Sequence, residues 1–250
     1  MSPCGKKERD LRKGAGGKQV RAHLKCLWMR LRQRSRYTQL QMLLYAITNR
    51  ELLAGDEAAK RARLAELAAE WARGGVEYIQ VREKDLSLTE LQALTAQVVE
   101  AVRGTGSKTG AATKVLVNGP AQVALDAGAD GVHLHAGIGP AAVQAAVQAY
   151  RRAGRDAVVS AACHSAEEIG QANGADLLLF SPVFEKVTEP RSARGQGLTA
   201  LREAVELAKP VPVLALGGVT EKNAAACVQA GAAGVAAIRM FLGEEWKRLR

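Results

Sequence analysis

The segment Gln80-Val81-Arg82-Glu83-Lys84-Asp85 places three polar side chains, Gln80, Arg82 and Lys84, at alternate positions. On an extended chain alternate residues share a face. A planar guanidinium beside a point-charge ammonium suits phosphate oxygens, although the same string also reads as a salt-bridging charged turn. A second signal is Ala215-Leu216-Gly217-Gly218-Val219-Thr220, where paired glycines before a helix start bring bare backbone N–H groups toward an anion. Asn118-Gly119-Pro120 offers an amide with both donor and acceptor, and is equally an ordinary turn. His133 and His135 alternate, but no nearby carboxylate or cysteine completes a metal set, which favours packed or hydrogen-bonded histidines. In Cys163-His164-Ser165, His164 is a candidate acid/base group. Ser165 with Glu168 fits a helix capping box, and Cys163 reads as a buried thiol.

Side chains so spaced need elements to aim them. From residue 43 onward, short apolar runs alternate with longer Ala/Leu-rich stretches. Runs that are apolar throughout mark strands of a parallel sheet covered on both faces. Strands are predicted at 43–48, 76–81, 114–118, 131–135, 157–161, 176–180, 211–215 and 234–238. Helices are predicted near 57–72, 88–102, 120–127, 140–153, 165–172, 198–208 and 220–230, with a short final helix from 240. Eight such units predict a closed (β/α)8 TIM barrel rather than an open sheet. Phrases such as Gly74-Gly75-Val76 and Gly128-Ala129-Asp130-Gly131 each close a helix and open a strand, which assigns them to the structural face. The chemistry then belongs to the opposite face, at the strand C-terminal ends, where loops after strands 7 and 8 form the common phosphate site. Arg239 ends strand 8 there. The loop after strand 6, which begins Ser181-Pro182-Val183-Phe184, is the longest at about sixteen residues, a length typical of lids and binding loops.

Charge divides the chain. The 250 residues carry 35 Lys/Arg and 25 Asp/Glu, a formal +10, and twelve of the bases but only two of the acids fall in residues 1–40. Removing these leaves 23 of each sign, so the remainder is neutral. Residues 1–41 are expected to be a basic, disordered extension, because glycine and scattered bases without periodic apolar content cannot order themselves by burial. A polyanion-binding arm, a targeting peptide and translated upstream sequence with the true start at Met29 or Met42 are the readings open for it. Residues 42–250 are expected to be the barrel. No apolar run is long enough for a membrane span, and there is no secretory pattern. Four dispersed cysteines without a C-x-x-C pair suit a reducing cytoplasm.

Taken in order, Tyr45-Ala46-Ile47-Thr48-Asn49-Arg50, Gln80-Val81-Arg82-Glu83-Lys84-Asp85, Gly128-Ala129-Asp130-Gly131-Val132-His133-Leu134, Ser181-Pro182-Val183-Phe184 and Leu216-Gly217-Gly218-Val219-Thr220 resemble the thiamine phosphate synthase/TenI family of barrels. The resemblance spans essentially all of 43–241. For the synthase it implies an enzyme that couples hydroxymethylpyrimidine diphosphate to thiazole phosphate, releasing diphosphate with Mg²⁺. It implies that Gln80, Arg82 and Lys84 hold the pyrimidine and diphosphate, that Asn118 stands at the family's strand-3 Asn, and that the backbone of Gly217 and Gly218 holds the thiazole phosphate. Thr188 keeps a family position. Arg239 or Lys186 is a further candidate phosphate partner.

The departures from the family pattern are informative. Gly119 stands where the synthase has a Mg²⁺-binding Asp, and Ala136-Gly137-Ile138-Gly139 replaces the loop with the second carboxylate. Ala162 replaces a Ser, and Glu189 a Lys. Magnesium needs hard oxygen ligands, so the resemblance implies a cofactor whose usual ligands are absent. Asn118-Gly119 and Val183-Phe184-Glu185 match the TenI-like thiazole tautomerases, but Pro182 stands at their His, which leaves His164 as the spare imidazole. The complete strand-2 motif favours thiamine phosphate formation, with Arg82, Lys84 and His164 as the catalytic candidates. The alternatives are a thiazole tautomerase and a non-catalytic regulator that binds a thiamine precursor. Phosphorylated thiazole and pyrimidine compounds are the expected partners. No membrane and, for the barrel, no nucleic acid is expected, and a homo-oligomer is left open.

Overall fold

A computed structural model describes residues 42–105, 112–185 and 194–250. The expected 1–41 extension lies outside the described residues, as do Lys186, Thr188 and Glu189.

Eight parallel strands close on one another in sequence order. They are β1 (Leu43–Ile47), β2 (Tyr78–Val81), β3 (Lys114–Val117), β4 (Gly131–Leu134), β5 (Val158–Cys163), β6 (Leu177–Phe180), β7 (Val213–Ala215) and β8 (Gly234–Ala237). Between them run α1 (Glu57–Arg73), α2 (Leu88–Arg103), α3 (Ala121–Asp126), α4 (Pro140–Arg152), α5 (Ala166–Gln171), α6 (Gly197–Ala208) and α7 (Ala224–Gln229). The chain ends in α8 (Arg239–Leu242) and a 3₁₀ turn, Glu245–Leu249. The (β/α)8 barrel expected from the sequence is therefore the fold.

Alternation along each strand makes two cores. Tyr45, Ile47, Leu116, Leu177, Leu179, Leu214 and Ala236 fill the barrel interior. Their neighbours in sequence, such as Leu44, Ala46, Val115, Val117, Leu178 and Val235, pack outward on the helices. Strands buried on both sides carry apolar residues throughout, which is why the sequence shows runs rather than alternation. Three helices start on side-chain caps: Asp56 accepts from the Ala59 N–H at 2.8 Å, Ser87 with Glu90 forms a full capping box, and Ser165 caps α5.

Several boundaries differ from expectation: β2 begins at Tyr78 rather than 76, β5 runs to Cys163 rather than 161, and two further shifts have a clear physical cause. β7 begins at Val213 rather than 211, because Pro210 and Pro212 lack the N–H that a ladder requires. α7 begins at Ala224 rather than 220, because the Asn223 amide oxygen accepts from the Thr220 N–H at 2.8 Å and holds those residues in a turn.

Candidate functional site at the barrel mouth

On β2 and the turn after it, alternation separates two jobs. Gln80 lies inside the barrel, 1% exposed, and its side-chain oxygen has no hydrogen-bond partner among the described residues. Arg82, two residues on, is half-buried. Its backbone N–H donates to Thr48 Oγ1 at 2.9 Å, while its guanidinium makes no hydrogen bond to any described residue. Burial pulls the Arg82 pKa down, and Glu83 opposes this. Lys84 continues the parity and is exposed. The intervening acids face the other way. Buried Glu83 accepts from Thr48 Oγ1 at 2.5 Å, from the Arg50 N–H at 3.0 Å and from Arg50 Nη1 at 3.1 Å. Asp85 accepts from Arg50 Nη1 at 2.8 Å and Nη2 at 2.5 Å, which holds its carboxyl down at about 2. Glu83 and Asp85 thus form the salt-bridging turn of the sequence reading, and Gln80 and Arg82 keep the opposite, inward parity. A cleft of about 510 Å³ lies beside the turn, lined by Asn49, Arg50, Arg82 and Lys84 among others.

Strand 4 pairs with strand 5 so that His133 stands opposite Ser160. His133 Nδ1 is 2.8 Å from Ser160 Oγ, which is 3.0 Å from the Tyr45 hydroxyl across the barrel. All three are buried. Burial, followed by the charges of Arg82 and His135, pushes the His133 pKa down to about 3. The hydrogen-bonded histidine favoured from the sequence is found at His133, whereas His135 is exposed. Reading the sequence assigned no role to Ser160, and Tyr45 entered only as the first residue of a family phrase. The one available signal was that both occupy inward positions on their strands.

His164 is exposed at the end of β5. Its Nδ1 lies 2.6 Å from the Ser181 carbonyl oxygen and 3.3 Å from the Ser181 hydroxyl. Ser165 caps α5 by accepting from the Glu168 N–H at 3.2 Å. The capping box is shifted by one residue, because the Glu168 carboxylate takes the His164 N–H at 2.5 Å rather than that of Ser165. Cys163 is a buried thiol, pushed up to about 12 by burial.

Gly217 (φ +91°) and Gly218 (φ +64°) lie against the start of the loop after β6. The Val183 N–H donates to the Leu216 carbonyl at 2.9 Å, and the Phe184 N–H to that of Gly217 at 3.0 Å. A Cβ on Gly217 would stand 2.7 Å from Pro182 Cα, and one on Gly218 2.6 Å from the Glu185 carbonyl oxygen. The paired glycines thus let two βα loops meet at the rim. Asn118 is half-buried, on the parity of inward Leu116, and Arg239 is exposed at the first residue of α8. Gln80, Arg82, Asn118 and His133 are thereby gathered on β2–β4. His164 joins the β5–β6 side, and Gly217 and Gly218 the β6–β7 side.

The described residues at the mouth do not fit a magnesium site. Gly119 and Ala136–Gly139 supply no side-chain oxygen, and Glu83 and Asp85 are committed to Arg50. Among the described residues no group of three or more His, Cys, Asp or Glu could hold a metal ion. Nor, among them, is any helix long and apolar enough to cross a membrane.

A family model described as thiamine monophosphate synthase matches residues 44–241. The thiamine-phosphate synthase of Methanoregula boonei is 33% identical over 207 residues, covering 82% of this chain and 88% of its own. That of Methanoculleus marisnigri is 34% identical over 203 residues, covering 80% and 88%. Among solved structures, thiamine phosphate pyrophosphorylase from Pyrococcus furiosus superposes with a TM-score of 0.64 at 27% identity, over 84% of this chain and 92% of that one. A 3-hexulose-6-phosphate synthase, at TM-score 0.54 and 21% identity over 78% and 89% of the two chains, shares the fold alone.

Proposed function

The chain belongs to the thiamine monophosphate synthase/TenI family, and from that premise we propose that it couples hydroxymethylpyrimidine diphosphate to thiazole phosphate, giving thiamine phosphate and diphosphate. The observation that carries this reading is the inward side of β2. There, among the described residues, neither the buried amide oxygen of Gln80 nor the partly desolvated guanidinium of Arg82 has a hydrogen-bond partner. Buried polar groups left open in this way await a ligand that satisfies them. Gln80 takes a donor of the pyrimidine, and Arg82 and Lys84 take the diphosphate, with Asn118 beside them. The rim around Gly217 and Gly218 takes the thiazole phosphate, with Arg239 as a further phosphate partner.

In the reaction, the C–O bond between the pyrimidine methylene carbon and diphosphate breaks, and diphosphate leaves with the electron pair. The lone pair of the thiazole nitrogen then forms the new C–N bond. Arg82 and Lys84 stabilise the charge that grows on the leaving group, which is where preorganised cations act most strongly. Purified protein incubated with both substrates, with and without Mg²⁺, is expected to form thiamine phosphate. Arg82→Ala is expected to lower kcat/KM by roughly 100-fold or more. Absence of product under both conditions refutes the coupling reading.

One observation favours a second reading, thiazole tautomerisation. A carbonyl oxygen only accepts, so the contact with Ser181 places the His164 proton on Nδ1 and leaves Nε2 as a bare base. Interconversion of thiazole phosphate tautomers that disappears in His164→Ala would establish it. Binding of precursors with neither reaction would point to a regulator.

A further inference from the structure

The chain Tyr45–Ser160–His133 has a direction. Tyr45 and Ser160 are completely buried, and Ser160 Oγ is the only hydrogen-bond partner of the Tyr45 hydroxyl among the described residues. A buried hydroxyl proton without an acceptor is costly, so Tyr45 donates to Ser160. Ser160 has one proton, and the only described acceptor left to its hydroxyl is His133 Nδ1 at 2.8 Å. Nδ1 is then the bare nitrogen and Nε2 carries the proton, with no partner among the described residues. Burial pushes the Tyr45 phenol up and the His133 imidazole down, so the phenol stays protonated and the ring neutral.

We infer that Tyr45 and Ser160 are positioning residues that lock His133 as its Nε2–H tautomer, and that this N–H is a fixed donor for a phosphate oxygen of the ligand in the barrel mouth. Arg82 is close enough for its charge to act on His133, so a cation and an oriented neutral donor serve one anion. A neutral donor suits this place, because a second charge beside Arg82 would be repelled, and no carboxylate or metal is needed. The assignment depends on the reading that the mouth holds a phosphorylated precursor. It adds His133, Ser160 and Tyr45 to the groups that hold it.

Nitrogen NMR on the full chain with ¹⁵N-labelled histidine tests this directly. Expected are a bare Nδ1 and a protonated Nε2 on His133, without titration across the neutral range, and a shift of the Nε2–H resonance when inorganic diphosphate is added. Ser160→Ala and Tyr45→Phe are expected to remove the tautomer bias and to weaken diphosphate binding by roughly two- to tenfold. The wild-type spectrum needs no variant to fold. A proton on Nδ1, or an Nε2–H indifferent to saturating diphosphate, overturns the inference. Thiamine phosphate formation assayed on the same preparation keeps the two claims apart. Product with an indifferent Nε2–H refutes the His133 role alone, and a responding Nε2–H without product refutes the coupling reading alone.

Discussion

At the scale of single residues, Arg50 does as much for the site as the residues that face it. Four per cent of its side chain is exposed, and it holds Glu57, Glu83 and Asp85 at once. Those ion pairs commit the acids of the strand-2 turn to Arg50. Arg50→Met would leave Glu83 buried without its counter-charge. It is expected to cost about 3–5 kcal/mol of stability, measured by urea unfolding. The pair with Asp85 also has a pH signature. Its folded carboxyl titrates at about 2, below its unfolded value of about 4. In that window the unfolded chain binds more protons, so this contribution is fully present above about pH 4 and is lost as pH falls toward 2. Asp85→Asn should therefore lose less of its urea midpoint than the wild type between those pH values. An equal loss would show that the pair does not contribute.

At the scale of elements, the rim depends on how closely the loops after β6 and β7 approach. Gly217-Gly218 reads in the sequence as an anion cradle, and the structure adds a packing reason for both glycines. Their missing side chains make room for Pro182 and the Glu185 carbonyl, and both have positive φ. Gly218→Val is expected to displace Val183–Glu185. It should cost about 1–3 kcal/mol of stability, with a strong loss of thiazole phosphate affinity. Thermal unfolding and calorimetric titration check the two effects, and unchanged affinity would move the thiazole phosphate elsewhere. The helix that the sequence extends back to Thr220 shows the limit of periodicity. Asn223 turns those residues into a loop through two side-chain bonds that no hydrophobic pattern reports.

At the scale of the molecule, the face opposite the mouth is tied together by the chain's end. Trp246 is 3% exposed and stacks on Phe241 with ring centroids 6.0 Å apart, and Phe241 meets Trp71 of α1 edge-on. Arg250 reaches the Met42 carbonyl at 2.9 Å, the Gly75 carbonyl at 2.6 Å and Glu77 at 2.6 Å. Trp246→Ala is expected to cost about 3–5 kcal/mol, measured by denaturant unfolding, while diphosphate affinity of the folded protein stays unchanged. A change in affinity without a change in stability would contradict this division between the two faces.

The (β/α)8 architecture was legible before any coordinates. Period and length of apolar runs are local properties, and parallel strands covered on both sides write them plainly into the chain. So were Gln80, Arg82 and Lys84 as one face, because alternation is a backbone property. What only the tertiary structure decided are relations between strands distant in sequence. Examples are the retention of Glu83 and Asp85 by Arg50, the meeting of Pro182 with Gly217, and the hydrogen-bonded line from Tyr45 through Ser160 to His133. Register across a closed barrel sets which side chains meet, and no window along the sequence contains it.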